Sequence, residues 1–226
     1  MKALVVGATG AVGSSLVREL LASPRCDRVT ALVRRATTMF SGAPGWEKLQ
    51  LEVVDFGDLE RATARAGAGA DSAFCTMGVG QPRKVPFDEF HRVDVEYAGA
   101  FARGAGAAGA RQITLLSSVG ADLESRNRYL RVKGEAEATV IAAGIERVSL
   151  FRPSLLVTAQ IRYGLQDRLS QLFVPMLAPL LPARFHQIRV EDLARAMRID
   201  AERGGAPGIA TLTYPDFVKL LAAEPS

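Results

Sequence analysis

The 226-residue chain has only two cysteines and two histidines, and each scarcity closes off a class of protein. Cys26 and Cys75 stand 49 positions apart, which makes neither a disulfide framework nor a metal-ligand spacing and suits a reducing cytosol. His91 and His186 lack Cys or carboxylate partners at ligand spacing, so no metal site is expected. Long apolar runs are missing as well. The N-terminal run Ala3–Val6 is too short for a signal peptide or a membrane span, and Leu172–Leu181 is broken by Pro175 and Pro179 and closed by Pro182. No transmembrane segment is expected, and the location is predicted to be cytoplasmic. The net charge of +4 comes without a basic tail or stripe, so no nucleic-acid partner is expected. Arginine outnumbers lysine 23 to 5, a bias of GC-rich genomes that points to a bacterial source.

At 48% hydrophobic and 23% charged residues, the chain can bury one sizeable core and is predicted to be a single domain, residues 1–226, without internal repeats. Short aliphatic runs alternate with helical periods, the mark of βαβ units on a parallel sheet. Strands are read at Ala3–Val6, Arg28–Val33, Leu49–Val54, Ser72–Thr76, Gln112–Leu116 and Arg147–Phe151. Helices are read at Ala11–Ala22, Asp58–Arg65, Phe87–Ala108, Arg128–Ala143 and Glu191–Glu202. Gly99–Gly109 reads as a helix whose small residues let it approach the sheet closely. The fold class is therefore α/β, a Rossmann-type doubly wound parallel sheet with a dinucleotide-binding core over residues 1–151. Residues 152–226 are expected to form a small C-terminal substrate lobe and helix. Within them, Leu155–Phe185 is an irregular prolyl segment that shapes an apolar pocket or packs as lobe core. A short strand at Gln187–Val190, a last strand at Gly208–Thr213 and a helix at Tyr214–Ala222 follow.

The first strand runs into Gly7-Ala8-Thr9-Gly10-Ala11-Val12-Gly13 and then a helix, the context a dinucleotide fingerprint requires. Gly7 permits the sharp turn, Gly10 admits a pyrophosphate to the backbone, Gly13 packs helix on sheet, and Thr9 adds a hydroxyl. No Lys follows the last glycine, which excludes a nucleoside-triphosphate loop. The second strand ends in Arg34-Arg35 rather than in an acid. Two guanidiniums suit a 2′-phosphate and predict NADP(H) in preference to NAD(H); solvated surface arginines are the blander alternative. Asp55-Phe56 after the third strand is a candidate adenine contact or an ordinary turn acid, and Cys75-Thr76-Met77-Gly78 closes the fourth strand at the same sheet edge.

Tyr129 and Lys133 are four apart at a helix start, so both point off one face, and Ser117-Ser118 close the preceding strand. Carbonyl reduction needs an acid to protonate a developing alkoxide, and a neighbouring cation makes a tyrosine competent. Lys133 is that cation, and Ser117 or Ser118 is the carbonyl binder. No G-x-S-x-G surrounds Ser117, which removes a serine hydrolase.

These residues resemble the short-chain dehydrogenases/reductases, in their atypical, Tat-interacting-protein branch. The resemblance rests on Gly7–Gly13, Val53-Val54-Asp55-Phe56, Phe74-Cys75, Arg92-Val93-Asp94, Leu115–Asp122, Tyr129–Glu135 and Phe151-Arg152-Pro153, and covers residues 1 to 158. It implies a Rossmann fold, NADP(H) held in a groove with Arg152 and Pro153 beside it, and a Ser-Tyr-Lys catalytic set. The chain departs from the wider family at Asp94, where Asn is common, which puts a proton relay there in doubt. The implied function is an NADP(H)-dependent oxidoreductase acting on a small apolar carbonyl or alcohol. The alternative is an NADPH-binding regulator or sensor working through protein partners. A homodimer is compatible with either.

Overall fold

The computed structural model describes residues 1–157 and 183–224. Seven parallel strands form one sheet: β1 (Lys2–Val6), β2 (Arg28–Val33), β3 (Leu49–Val53), β4 (Ser72–Cys75), β5 (Gln112–Leu116), β6 (Arg147–Phe151) and, late in the chain, β9 (Gly208–Leu212). Their order is β3-β2-β1-β4-β5-β6-β9, so the winding reverses between β1 and β4. Ligands bind at such a switch point in open α/β sheets, outside the carboxyl ends of the strands.

Both faces of the central strands are covered, which is why β1, β2 and β4 read as buried runs, while the edge strands β3 and β9 stay more exposed. On one face α1 (Ala11–Ala22) and α6 (Val190–Arg203) lie together, with Leu16, Val17 and Leu20 sharing a cluster with Leu193, Ala194 and Met197. On the other face α2 (Leu59–Ala66) packs against α4 (Tyr97–Ala107), whose Ala98, Phe101, Ala102 and Ala105 meet Leu4, Val6 and Ile113 of the sheet. Gly99 and Gly104 of α4 serve the neighbouring helices rather than the sheet. A Cβ on Gly99 would stand 2.2 Å from Thr139 Cγ2, and one on Gly104 2.4 Å from the Glu60 carbonyl oxygen.

The rod read as one helix from Phe87 to Ala108 has three parts. It begins as α3 (Phe87–His91), widens into a π turn at Arg92–Glu96, and continues as α4. Such turns interrupt helices where a side chain is re-aimed, frequently at functional sites. Asp94 is buried inside it.

The C-terminal third divides in two. α6, β9 and α7 (Tyr214–Ala222) complete the main sheet: β9 pairs with β6 along its length, and Phe217 stacks on Phe151 at 5.2 Å. β7 (Leu156–Val157) and β8 (Ile188–Arg189) form a separate two-stranded ribbon. The prolyl segment Leu172–Leu181 lies outside the described residues.

Candidate active site

Glycine geometry builds the loop after β1. Gly7 has φ +82°, and a Cβ there would stand 2.6 Å from the Met77 nitrogen, so the turn is pressed directly onto the end of β4. A Cβ on Gly13 would fall 2.1 Å from the Gly7 carbonyl oxygen, which fixes α1 close behind the loop. Gly10 sits at the N-cap of α1 with no side chain to cap it. The first-turn N–H groups therefore lack a side-chain acceptor, as an anion-receiving helix end requires.

The loop opens onto a groove of about 570 Å³ at the switch point. The structure brings Gly7, Ala8, Thr9, Gly10, Arg34, Arg35, Phe56, Thr76, Met77 and Gly78 into its lining. The sequence reading did not anticipate Ala36, Thr37, Met39, Val93 or Tyr97, which line it too. Tyr97 meets Phe56 edge to face at 5.5 Å, and the Arg34 guanidinium stands 5.9 Å from the Phe56 ring. Among the described residues, neither Arg34 nor Arg35 has a carboxylate partner.

Other candidate residues stand behind the lining. Ala11, Val12 and Gly13 begin α1, with Val12 and Gly13 buried. Asp55 accepts a 2.9 Å hydrogen bond from the Gly57 N–H and caps the short 3-10 turn Phe56–Asp58. Cys75 is completely buried, and burial pushes its thiol up to about 12.

Helix α5 (Arg128–Ile141) is started by Asn127, whose Oδ1 accepts from the Tyr129 and Leu130 N–H groups. An Asn just before a helical period is the signal that locates this cap. Tyr129, Lys133 and Glu137 follow at successive turns along one face. Tyr129 is half-buried and lies nearly parallel to Phe90, 6.1 Å between centroids. The Lys133 Nζ is 5.9 Å from the Tyr129 ring centre and 2.6 Å from Asp94 Oδ1, with both charged groups buried. A Cβ on Gly78 would stand 3.3 Å from that Nζ, so the lysine lies directly against the groove wall.

The two serines at the end of β5 differ in commitment. Ser117 Oγ donates to Glu137 Oε1 at 2.5 Å, and Arg152 donates through Nε and Nη2 to the two Glu137 oxygens at 2.8 and 2.5 Å. Among the described residues Ser118 Oγ has one long hydrogen bond, 3.4 Å to the Val119 carbonyl oxygen. Glu137 is buried and was missed in the sequence, although its spacing from Lys133 repeats that of Lys133 from Tyr129. Pro153 receives the Val119 N–H on its carbonyl at 2.9 Å, joining the ends of β5 and β6.

Residues 7–171 match a family model described as NAD(P)H-binding. The chain is 40% identical over 153 residues to Protein HTATIP2 of Rattus norvegicus, covering 68% of this chain and 62% of that protein. It is 28% identical over 152 residues to the protein fmp52, mitochondrial, of Emericella nidulans, covering 67% and 65%. The chain thus spans under two thirds of the length of both relatives. Among solved structures, MoeE5 in complex with UDP-glucuronic acid and NAD superposes with a TM-score of 0.71 at 21% identity, over 95% of this chain and 76% of that one.

Proposed function

The chain belongs to the NAD(P)H-binding family, among the atypical short-chain dehydrogenases/reductases, and from that premise we propose that it is an NADP(H)-dependent oxidoreductase acting on a small, apolar carbonyl or alcohol compound. The observation that carries the reading is the continuity from the glycine loop, through Gly78, to Lys133 and Tyr129 on α5. The groove fits a dinucleotide on its own chemistry: a glycine turn pressed onto the end of β4 with α1 close behind it, an uncapped helix N-terminus, and two arginines without a carboxylate partner among the described residues.

A bound nicotinamide supplies or accepts the hydride. In the direction of reduction, Tyr129 donates its phenolic proton to the developing alkoxide oxygen. Ser118 donates a hydrogen bond to the substrate carbonyl, a role left to it because the Ser117 hydroxyl is spent on Glu137. Lys133 presents an ammonium at the Gly78 wall and would hold the nicotinamide ribose of a bound cofactor. Arg34 and Arg35 would pair with a 2′-phosphate, which is the basis of the proposed preference for NADP(H).

The test is titration of the purified protein with NADPH and NADH, then cofactor oxidation against aldehydes, ketones and quinones. Tyr129→Phe should abolish turnover and leave NADPH binding intact. Turnover surviving that substitution overturns the mechanism, and tight binding without turnover on any compound favours a cofactor-sensing protein instead.

A further inference from the structure

A lysine ammonium in a site without water gives up its proton unless a fixed anion faces it. Lys133 is in that position: its side chain is 9% exposed, and the carboxylate 2.6 Å away is wholly buried. Among the described residues three titratable groups face it, namely Asp94 from the π turn, Tyr129 on its own helix and Cys75 at the end of β4. Burial holds Cys75 as a thiol, so Asp94 is the carboxylate of the set. Burial, the largest single influence, opposes the charge on Lys133, but Asp94, through its charge and its hydrogen bond, together with Tyr129 and Cys75 outweighs it and leaves the ammonium more firmly protonated than an ordinary lysine.

Asp94 uses both of its oxygens. Oδ1 accepts from Lys133, and Oδ2 accepts from the Val79 N–H at 2.8 Å. Val79 directly follows Gly78, so one carboxylate ties the lysine to the loop that walls the groove. The π turn puts it there: Val93 and Tyr97 on either side line the groove, while Asp94 between them points into the protein.

We propose that Asp94 is a positioning residue for Lys133, the side chain that keeps its ammonium charged and holds it against the Gly78 wall of the groove. What the cation serves rests on the function proposed above; its dependence on Asp94 does not.

The test reads folding stability against pH, without cofactor. Asp94→Asn keeps an acceptor for the Val79 N–H and nearly the same volume but removes the counter-charge. Lys133 in that variant then has a pKa below its unfolded value, so raising the pH from 7 to 10 restores stability. The gap in unfolding equilibrium constant between parent and variant should narrow by about tenfold for each unit of that fall. Adding Lys133→Met should abolish the narrowing. A gap that does not change with pH overturns the proposal.

If Asp94→Asn does not fold, Lys133→Met alone gives the mirror test. Its buried, unpaired carboxylate favours the protonated form, so its gap to the parent should narrow as the pH is lowered from 7 toward 5, and a constant gap again overturns the proposal. NADPH titration of Asp94→Asn separates the two readings. A pH-dependent gap with undiminished NADPH affinity supports the role of Asp94 and removes Lys133 from the cofactor site.

Discussion

The two ends of the same strands carry hollows of comparable size and opposite character. At the amino ends a hollow of about 730 Å³ is lined by Arg25, Arg111, Arg147 and Arg203 together with Asp71, Glu146 and Glu202. At the carboxyl ends lies the smaller groove of about 570 Å³. Around the first, polar groups brace the fold. Arg147 pairs with Asp200 at 2.6 Å and donates to Gln112, Gln112 donates to Ser72 and to the Ala201 carbonyl, and Ser149 donates to Asp200. These bonds lace β4, β5, β6 and α6 together. In the second, the first turn of α1 has no side-chain cap, and neither arginine has a carboxylate partner, among the described residues. Volume therefore does not identify a site here. Polar groups held in place without a protein partner do.

Mutations at the two ends should separate stability from binding. The largest effect is expected for Asp200→Ala, which leaves the mostly buried Arg147 guanidinium without its counter-ion and the buried Ser149 hydroxyl without its acceptor. It should cost about 3–5 kcal/mol in urea unfolding, with NADPH affinity unchanged in the protein that remains folded. A parallel loss of affinity would break the contrast. Next comes Arg34→Glu, which should weaken NADPH about thirtyfold, close to 2 kcal/mol, while leaving NADH affinity and unfolding unchanged. Equal losses for both cofactors would sink the 2′-phosphate assignment.

Within the carboxyl end, Ser117→Ala should lower stability by about 1.5 kcal/mol, because it removes a hydrogen bond to a buried carboxylate. Ser118→Ala should leave unfolding nearly unchanged and act on turnover instead, and the reverse pattern would exchange the roles of the two serines. Cys75 supplies a test that needs no substitution. Its folded thiol titrates at about 12 against an ordinary 9.0, so its contribution to stability is complete below pH 9 and is lost between 9 and 12. Thiol-specific labelling of the folded protein at pH 8 should leave Cys75 unmodified, and rapid labelling would mean that the end of β4 is not sealed.

Most of the carboxyl end was legible in the sequence where chemistry is local. A strand, a glycine turn and a helix are consecutive, so Gly7–Gly13 announces its own geometry, and Arg34-Arg35 follows from its place at the end of β2. Tyr129 and Lys133 share a face because helical spacing alone puts them there. Asp55 was ambiguous in the sequence because adenine contact and turn capping favour the same residue at the same place, and in the structure it caps. The aromatic wall of Phe56 and Tyr97 was half legible, since Tyr97 comes from a helix 41 residues further on.

What the sequence alone determined is whatever neighbours along the chain decide: the alternation of strands and helices, the glycine loop, the basic end of β2, the spacing on α5. What only the tertiary structure decided is which charges neutralise one another. Asp94 and Lys133 are 39 residues apart, Ser117 and Glu137 are 20 apart, and Arg147 and Asp200 are 53 apart. No local pattern announces such pairs. They arise because close packing removes water from the side chains it brings together, and a buried charge must then take the partner that the fold places beside it.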